Sequence, residues 1–307
     1  MTTMKFKLIL ILVLFSMTLL TACSFNKIFL QPTRLPKIPT DKEQISLTTK
    51  SNFGTVLVSF NTKTLQPTFL NNNKDTIKYD FTIESVVFKS TSGNDLNGWL
   101  LKPKNSKPTI TLLHLHGNAG FLLSQSQSVI PLLKYGFQIF VFDYSGFGFS
   151  KGEATRENIL LDGNAALSYL KSREDVKQTP LVLYGQSLGG SLAAVLAEQR
   201  QGDIDGLVME GAFSSYKDIA AKTAGFFGRI LVSDNYNTYK SIQNNKKPVL
   251  VIHSTEDKTI PFKMGQKIFD HANEPKEFYE IKNCHTCGPT FYGESISVKI
   301  VKMLKIK

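Results

Sequence analysis

The sequence predicts a doubly wound, mostly parallel α/β sheet with an antiparallel hairpin at its N-terminal edge and a small or absent lid. Two observations carry this expectation. Short apolar runs alternate with helix-length segments from Thr109 to Ile281, the pattern of strands covered on both faces. Ahead of them, Tyr79–Lys89 and Leu96–Leu101 flank the turn Ser92-Gly93-Asn94-Asp95, as an antiparallel pair does. A chain of 307 residues, 42% hydrophobic and 20% charged, is ordinary for a globular domain of this kind.

The chain opens with a basic stretch, Met1 to Lys7, followed by the apolar run Leu8 to Leu20. That run is shorter than the roughly 20 apolar residues a spanning helix needs. Small residues follow it, as in a secretory signal. Its ending, Leu20-Thr21-Ala22-Cys23, resembles the lipobox of bacterial lipoproteins. The resemblance implies that residues 1–22 are a signal peptide and that Cys23 accepts a lipid, anchoring the protein in the cell envelope. Ser24 stands where many inner-membrane lipoproteins carry a retention Asp. An outer-membrane protein facing the periplasm or the surface follows if the source is Gram-negative. Residues 23–50, with Pro32, Pro36 and Pro39, read as a tether to a folded domain over 51–307. A plain signal peptide, or an N-terminal membrane anchor, that happens to hold a cysteine is the competing explanation.

Past the tether, Val56–Phe60 reads as a strand and 71–74 as a polar turn. After the hairpin come a strand over Thr109–Leu115, a helix over Leu122–Tyr135 and a strand over Phe137–Phe142. A helix over Glu157–Leu170, a strand over Leu181–Tyr184 and an Ala/Leu-rich helix over Leu188–Gln199 follow. Ile204–Met209, Val249–Ile252 and Glu277–Ile281 supply three more strands. The segment 213–245 is too short for a second domain, so a lid built from it is modest.

Chemistry concentrates at Gly185-Gln186-Ser187-Leu188-Gly189, between a buried-strand pattern and a helix pattern. A serine on so sharp a strand-to-helix turn projects its hydroxyl clear of the sheet, and flanking glycines let the chain pass its neighbours. The motif by itself recurs by chance, and its placement gives it weight. In that arrangement the order is Ser, then acid, then His. Asp257 lies just past the run Val249–Ile252, with Glu256 beside it as a substitute, while Asp270 sits inside a helix. His285 follows the last strand by a short loop. His271 falls on a helix, His253 precedes the acid and His114 lies within an early strand. Ser187 as nucleophile, His285 as base and Asp257 as its orienting partner form the expected triad. The Leu188 N–H is one expected oxyanion donor. The loop His116-Gly117-Asn118-Ala119-Gly120 presents the Asn118 N–H as the second, with His116 as a loop brace.

These motifs, with Phe142-Asp-Tyr-Ser-Gly-Phe-Gly-Phe-Ser-Lys-Gly152 and His253-x-x-x-Asp257, resemble the α/β-hydrolase branch that includes membrane-associated protein depalmitoylases. The likeness spans roughly residues 80–305. It implies the same triad and oxyanion pair, no metal or organic cofactor, and a small-molecule or lipid-like acyl substrate. One departure stands at the base: that branch often reads Gly-His-Asn-Asp, whereas here Asn283-Cys284-His285-Thr286-Cys287 stands. In an oxidising compartment Cys284 and Cys287 are candidates for a disulfide across the histidine loop. A redox-active pair lacks the expected fold context, and two Cys with one His fall short of a structural zinc set.

The expected reaction is cleavage of an ester or thioester through an acyl-enzyme. Phe121, Phe147, Phe149, Phe213, Phe226 and Phe227 are candidates for an acyl-chain pocket. An acyltransferase with the same triad and a catalytically inactive surface binding protein are the alternatives. The net charge of +11 comes from scattered lysines, which lack the basic stripe of a nucleic-acid binder and suit an anionic membrane surface.

Overall fold

The apolar runs become buried strands in the computed structural model, which describes residues 28–39, 41–51, 54–234 and 236–306. Among these residues the main sheet has eight strands. They are β1 (Phe81–Lys89), β2 (Asp95–Pro103), β3 (Ile110–Leu115), β4 (Phe137–Phe142), β5 (Leu181–Gln186), β6 (Gly206–Glu210), β7 (Val249–Ser254) and β8 (Lys276–Ile281). Their spatial order is β1-β2-β4-β3-β5-β6-β7-β8. Strands β3 to β8 run parallel, while β2 is antiparallel to both β1 and β4. Every residue of β3 to β7 is buried, because helices cover both faces of a parallel sheet.

The covering helices are α1 (Arg156–Ser172), α2 (Leu188–Gln199), α3 (Tyr216–Leu231), α4 (Phe262–His271) and α5 (Gly288–Met303). Leu113, Leu183 and Met209 share one core with Ile159 of α1, Leu192 of α2 and Ile268 of α4. Leu112, Val182 and Val208 share the opposite core with Ile296 and Ile300 of α5. Each such aliphatic side chain contributes roughly 1.5–3 kcal/mol when fully buried. The two layers fix the sheet in place, and so fix where its carboxyl-end loops meet.

Two expectations change. The helix over Leu122–Tyr135 is a short helix, Leu122–Ser126, and a separate 3₁₀ turn, Ile130–Tyr135. Pro131 has no N–H for a continuous ladder and opens the second piece instead. The tether also changes, from Ile28 on. Gln31–Pro32 pairs with Ala119–Gly120, and Leu30 is buried in the core. Gln44–Ser51, Gly54–Asn61 and Pro67–Leu70 form a three-stranded antiparallel sheet. A domain start at residue 51 would cut its first hairpin. The apolar Ile45 and Leu47 alternate with polar residues and pack on the core, a strand signal hidden behind the prolines. Residues 1–22 and Cys23 lie outside the described residues.

Candidate active site

Ser187 joins β5 to α2 with φ 55° and ψ −119°, a left-handed conformation that costs a non-glycine residue about 1–3 kcal/mol. The packing around it enforces this. A Cβ on Gly189 would collide with the backbone carbonyl of Leu115, and one on Gly185 with that of Gly189. The Ser187 N–H donates to the Glu210 carbonyl (2.9 Å), and the Gly190 N–H donates to the Ser187 carbonyl (3.0 Å). Leu188, the first residue of α2, has an N–H with no acceptor inside its helix.

Asp257 lies in the loop after β7, and its side chain is 0% exposed. Its Oδ1 accepts the Thr259 and Ile260 N–H groups, both at 2.8 Å, and its Oδ2 accepts from His285 Nδ1 at 2.6 Å. Burial alone would raise this carboxyl; the hydrogen bond and charge of His285 outweigh it, and the group stays below its ordinary range. With the carboxylate ionised, Nδ1 carries the ring proton and Nε2 is left to accept one. The imidazole is 23% exposed, so it reaches solvent at the cleft. Glu256, the other acid considered, accepts the Asn283 N–H (3.0 Å) instead of bonding to His285.

Three further groups hold this pair; the sequence reading missed the roles of the first two and anticipated the third. His253, at the end of β7, is buried and donates from Nε2 to the Ile260 carbonyl (3.0 Å), bracing the loop that carries Asp257. Burial lowers its pKa and keeps it neutral. Glu210 ends β6 and is buried beneath the histidine loop. Its Oε2 accepts from Tyr184 Oη and Gln186 Nε2 (both 2.8 Å), and its Oε1 accepts the Gly288 N–H (2.6 Å). Burial raises this carboxyl. A charged residue closing an apolar strand was the available signal. The third device is the disulfide between Cys284 and Cys287, Cα atoms 5.9 Å apart, which brackets His285. Among the described residues no group of His, Cys, Asp and Glu forms a metal site.

Ser187, Leu188, Asn118 and His285 line one cleft of about 380 Å³, joined by Phe213 and Ile219. His116 is buried behind it, its ring 4.0 Å from that of Tyr144 and its Nδ1 2.8 Å from the Gly117 carbonyl, and burial lowers its pKa to about 3. The acyl-pocket expectation narrows sharply. Of the six phenylalanines proposed, Phe213 lines the cleft; Phe147 and Phe149 are core, Phe121 packs half-buried against the core, and Phe226 and Phe227 are exposed. Proximity to a loop in sequence does not tell which side of the sheet a ring faces. A larger apolar cavity of about 510 Å³ beneath the small sheet, walled by Phe69, Tyr79 and Trp99, holds none of these residues.

A serine on a strained strand-to-helix turn and an Asp-bound histidine at one sheet rim define a class, that of the α/β-fold hydrolases. The comparisons agree. Residues 110–233 match the α/β-hydrolase fold family. The chain is 36% identical over 208 residues to the uncharacterized protein YfhR of Salmonella typhi, covering 63% of this chain and 71% of that one. It is 29% identical over 195 residues to the α/β-hydrolase domain-containing protein WAV2 of Arabidopsis thaliana, over 58% and 63% of the two chains. A solved esterase of Pyrococcus furiosus superimposes with a TM-score of 0.62 at 20% identity, covering 73% of this chain and 91% of its own. This chain belongs to the α/β-hydrolase fold family, and such a fold supports a hydrolase.

Proposed function

We propose that the chain is a serine hydrolase that cleaves an ester or thioester through an acyl-enzyme. The observation that carries this is the 2.6 Å bond from His285 Nδ1 to buried Asp257, at a cleft that His285 shares with Ser187. That bond leaves Nε2 as the base. In the proposed reaction Ser187 Oγ attacks the carbonyl carbon and its proton passes to His285 Nε2. The negative oxygen is met by the N–H groups of Leu188 and Asn118. Collapse breaks the bond to the alcohol or thiol, which leaves with the proton from His285. Water then attacks the acyl-enzyme by the same route and frees the acid and Ser187.

A fluorophosphonate probe tests this. It is expected to label the native chain and to leave Ser187→Ala unlabelled, with hydrolysis of acyl esters lost alongside. Labelling that survives the substitution removes Ser187 as nucleophile, and a native chain that never labels favours the binding-only alternative. An acyltransferase would show itself by diverting product to an added alcohol.

We also infer an envelope location through lipidation of Cys23, supported by the order of basic, apolar and small residues before it. Cys23→Ser is expected to abolish incorporation of labelled palmitate and signal cleavage; a variant labelled and processed like the native chain would refute it.

A further inference from the structure

Helix α3 divides at Ala224–Gly225, where Gly225 takes φ 58° and ψ −145°. Its first half belongs to the cleft, with Ile219, Lys222 and Thr223 in the wall. Its second half is turned outward by the kink. Phe226 and Phe227 are 72% and 73% exposed, and Ile230 and Leu231 are also exposed. Spaced at i, i+1, i+4 and i+5, these four share one helix face, and an exposed apolar cluster of this kind marks a binding surface. Lys222, Arg229 and Lys267 are the basic residues beside it; Asp218, at the start of α3, pairs with Arg229 (2.6 Å) and with Lys267 (2.8 Å), so cations outnumber the acids Asp218 and Asp234 there. Lys222 Nζ donates to the Lys258 and Thr259 carbonyls, which brings the exposed Lys258 to the same rim.

The N-terminal end of the described chain arrives at the same place. The Phe29 ring sits 4.9 Å from that of Tyr216, the first residue of α3, and Ile28, 53% exposed, borders the cleft. Cys23 is five residues upstream of Ile28 in the sequence. We propose that the second half of α3 is a membrane-docking surface, which lays Phe226, Phe227, Ile230 and Leu231 into the interface of an anionic bilayer and turns the Ser187 cleft toward it. An apolar face flanked by more cations than acids fits that occupant, since cations meet the lipid phosphates while the rings enter the acyl boundary. Among the described residues no helix is long and apolar enough to cross a membrane, so α3 lies along it. The cleft then takes acyl groups presented by the bilayer. That last step alone rests on the hydrolase reading; the surface does not.

The full chain reconstituted in phosphatidylethanolamine–phosphatidylglycerol vesicles tests it. Trp99, the only tryptophan, is 1% exposed and gives a constant background emission. Phe227→Trp adds an indole on the proposed face, and Val298→Trp adds one on an exposed site of α5. Lipids brominated along the acyl chains are expected to quench the added emission of Phe227→Trp roughly twofold or more, and that of Val298→Trp hardly at all. Equal quenching at both sites, or quenching at 227 by aqueous iodide alone, overturns the surface. As a second readout, the double variant Phe227→Ser/Ile230→Ser is expected to hydrolyse a vesicle-embedded long-chain ester roughly tenfold more slowly, with a short soluble ester unaffected. Equal loss on both esters overturns the orientation of the cleft. A native chain inactive on both defeats the hydrolase reading, while the quenching still decides the surface.

Discussion

Asp257→Asn is expected to lower kcat on an accepted acyl ester by about 10⁴-fold with little change in KM. The carboxylate accepts the proton of His285 Nδ1 at 2.6 Å and so keeps Nε2 free to receive the serine proton. An amide holds the ring as well in the other tautomer, with the proton on Nε2, and a protonated Nε2 cannot act as base. Oδ1 has a separate task, accepting the Thr259 and Ile260 N–H groups, which the amide oxygen of Asn can still perform. The fold should therefore survive and only the rate should fall. Steady-state kinetics on a soluble ester, beside a thermal melt, separate the two; a loss under about tenfold would mean another acid orients His285. The same orientation is pH-sensitive in one direction. Because His285 depresses the Asp257 carboxyl in the folded chain, its contribution is fully present above the ordinary value of 3.8 and is lost as pH falls through the lower folded value.

Gly189→Ala is expected to abolish folding or to lower the thermal midpoint by roughly 10 °C or more, corresponding to about 4 kcal/mol. The added Cβ falls on the Leu115 carbonyl, with the His116 carbonyl also close, and neither is a flexible side-chain end. Relief would need β3 to part from β5, two strands paired from Thr111–Leu181 to Leu115–Gly185 in the middle of the sheet. Circular dichroism melts check this, and a midpoint within about 2 °C of the native chain would show the turn to be looser than its geometry. The substitution also carries a functional sign. A variant that folds by shifting the turn should lose fluorophosphonate labelling, because Ser187 at φ 55° depends on that packing.

Much of this site was legible in the chain because its signals are local. Gly185, Ser187 and Gly189 stand within one turn, and the strand and helix patterns on either side are short-range properties of the sequence. Asp257 and His285 were found by their positions just past apolar runs, since parallel strands all end at one rim. Glu210 was not found, because a strand-ending acid looks like a solvent-facing turn until Tyr184, Gln186 and Gly288 close over it. His253 was set aside as preceding the acid, and its bond to the Ile260 carbonyl exists only once the loop folds back.

The phenylalanines show the same division. Their apolar character is written in the sequence, yet Phe213 lines the cleft, Phe147 is core and Phe226 is exposed. Which of those a ring becomes depends on helix kinks and on layers contributed by distant segments. The residues from Ile28 to Ser51 followed suit, since a strand is stabilised by a partner strand and only the assembled fold supplies one. By itself, then, the chain determined the strand-helix alternation, the turn at Ser187 and the order Ser, Asp, His, all set by near-neighbour pattern. Tertiary structure decided what braces the histidine, what walls the cleft and which apolar face is left outside, because burial and hydrogen-bond partners belong to pairs of residues far apart in sequence.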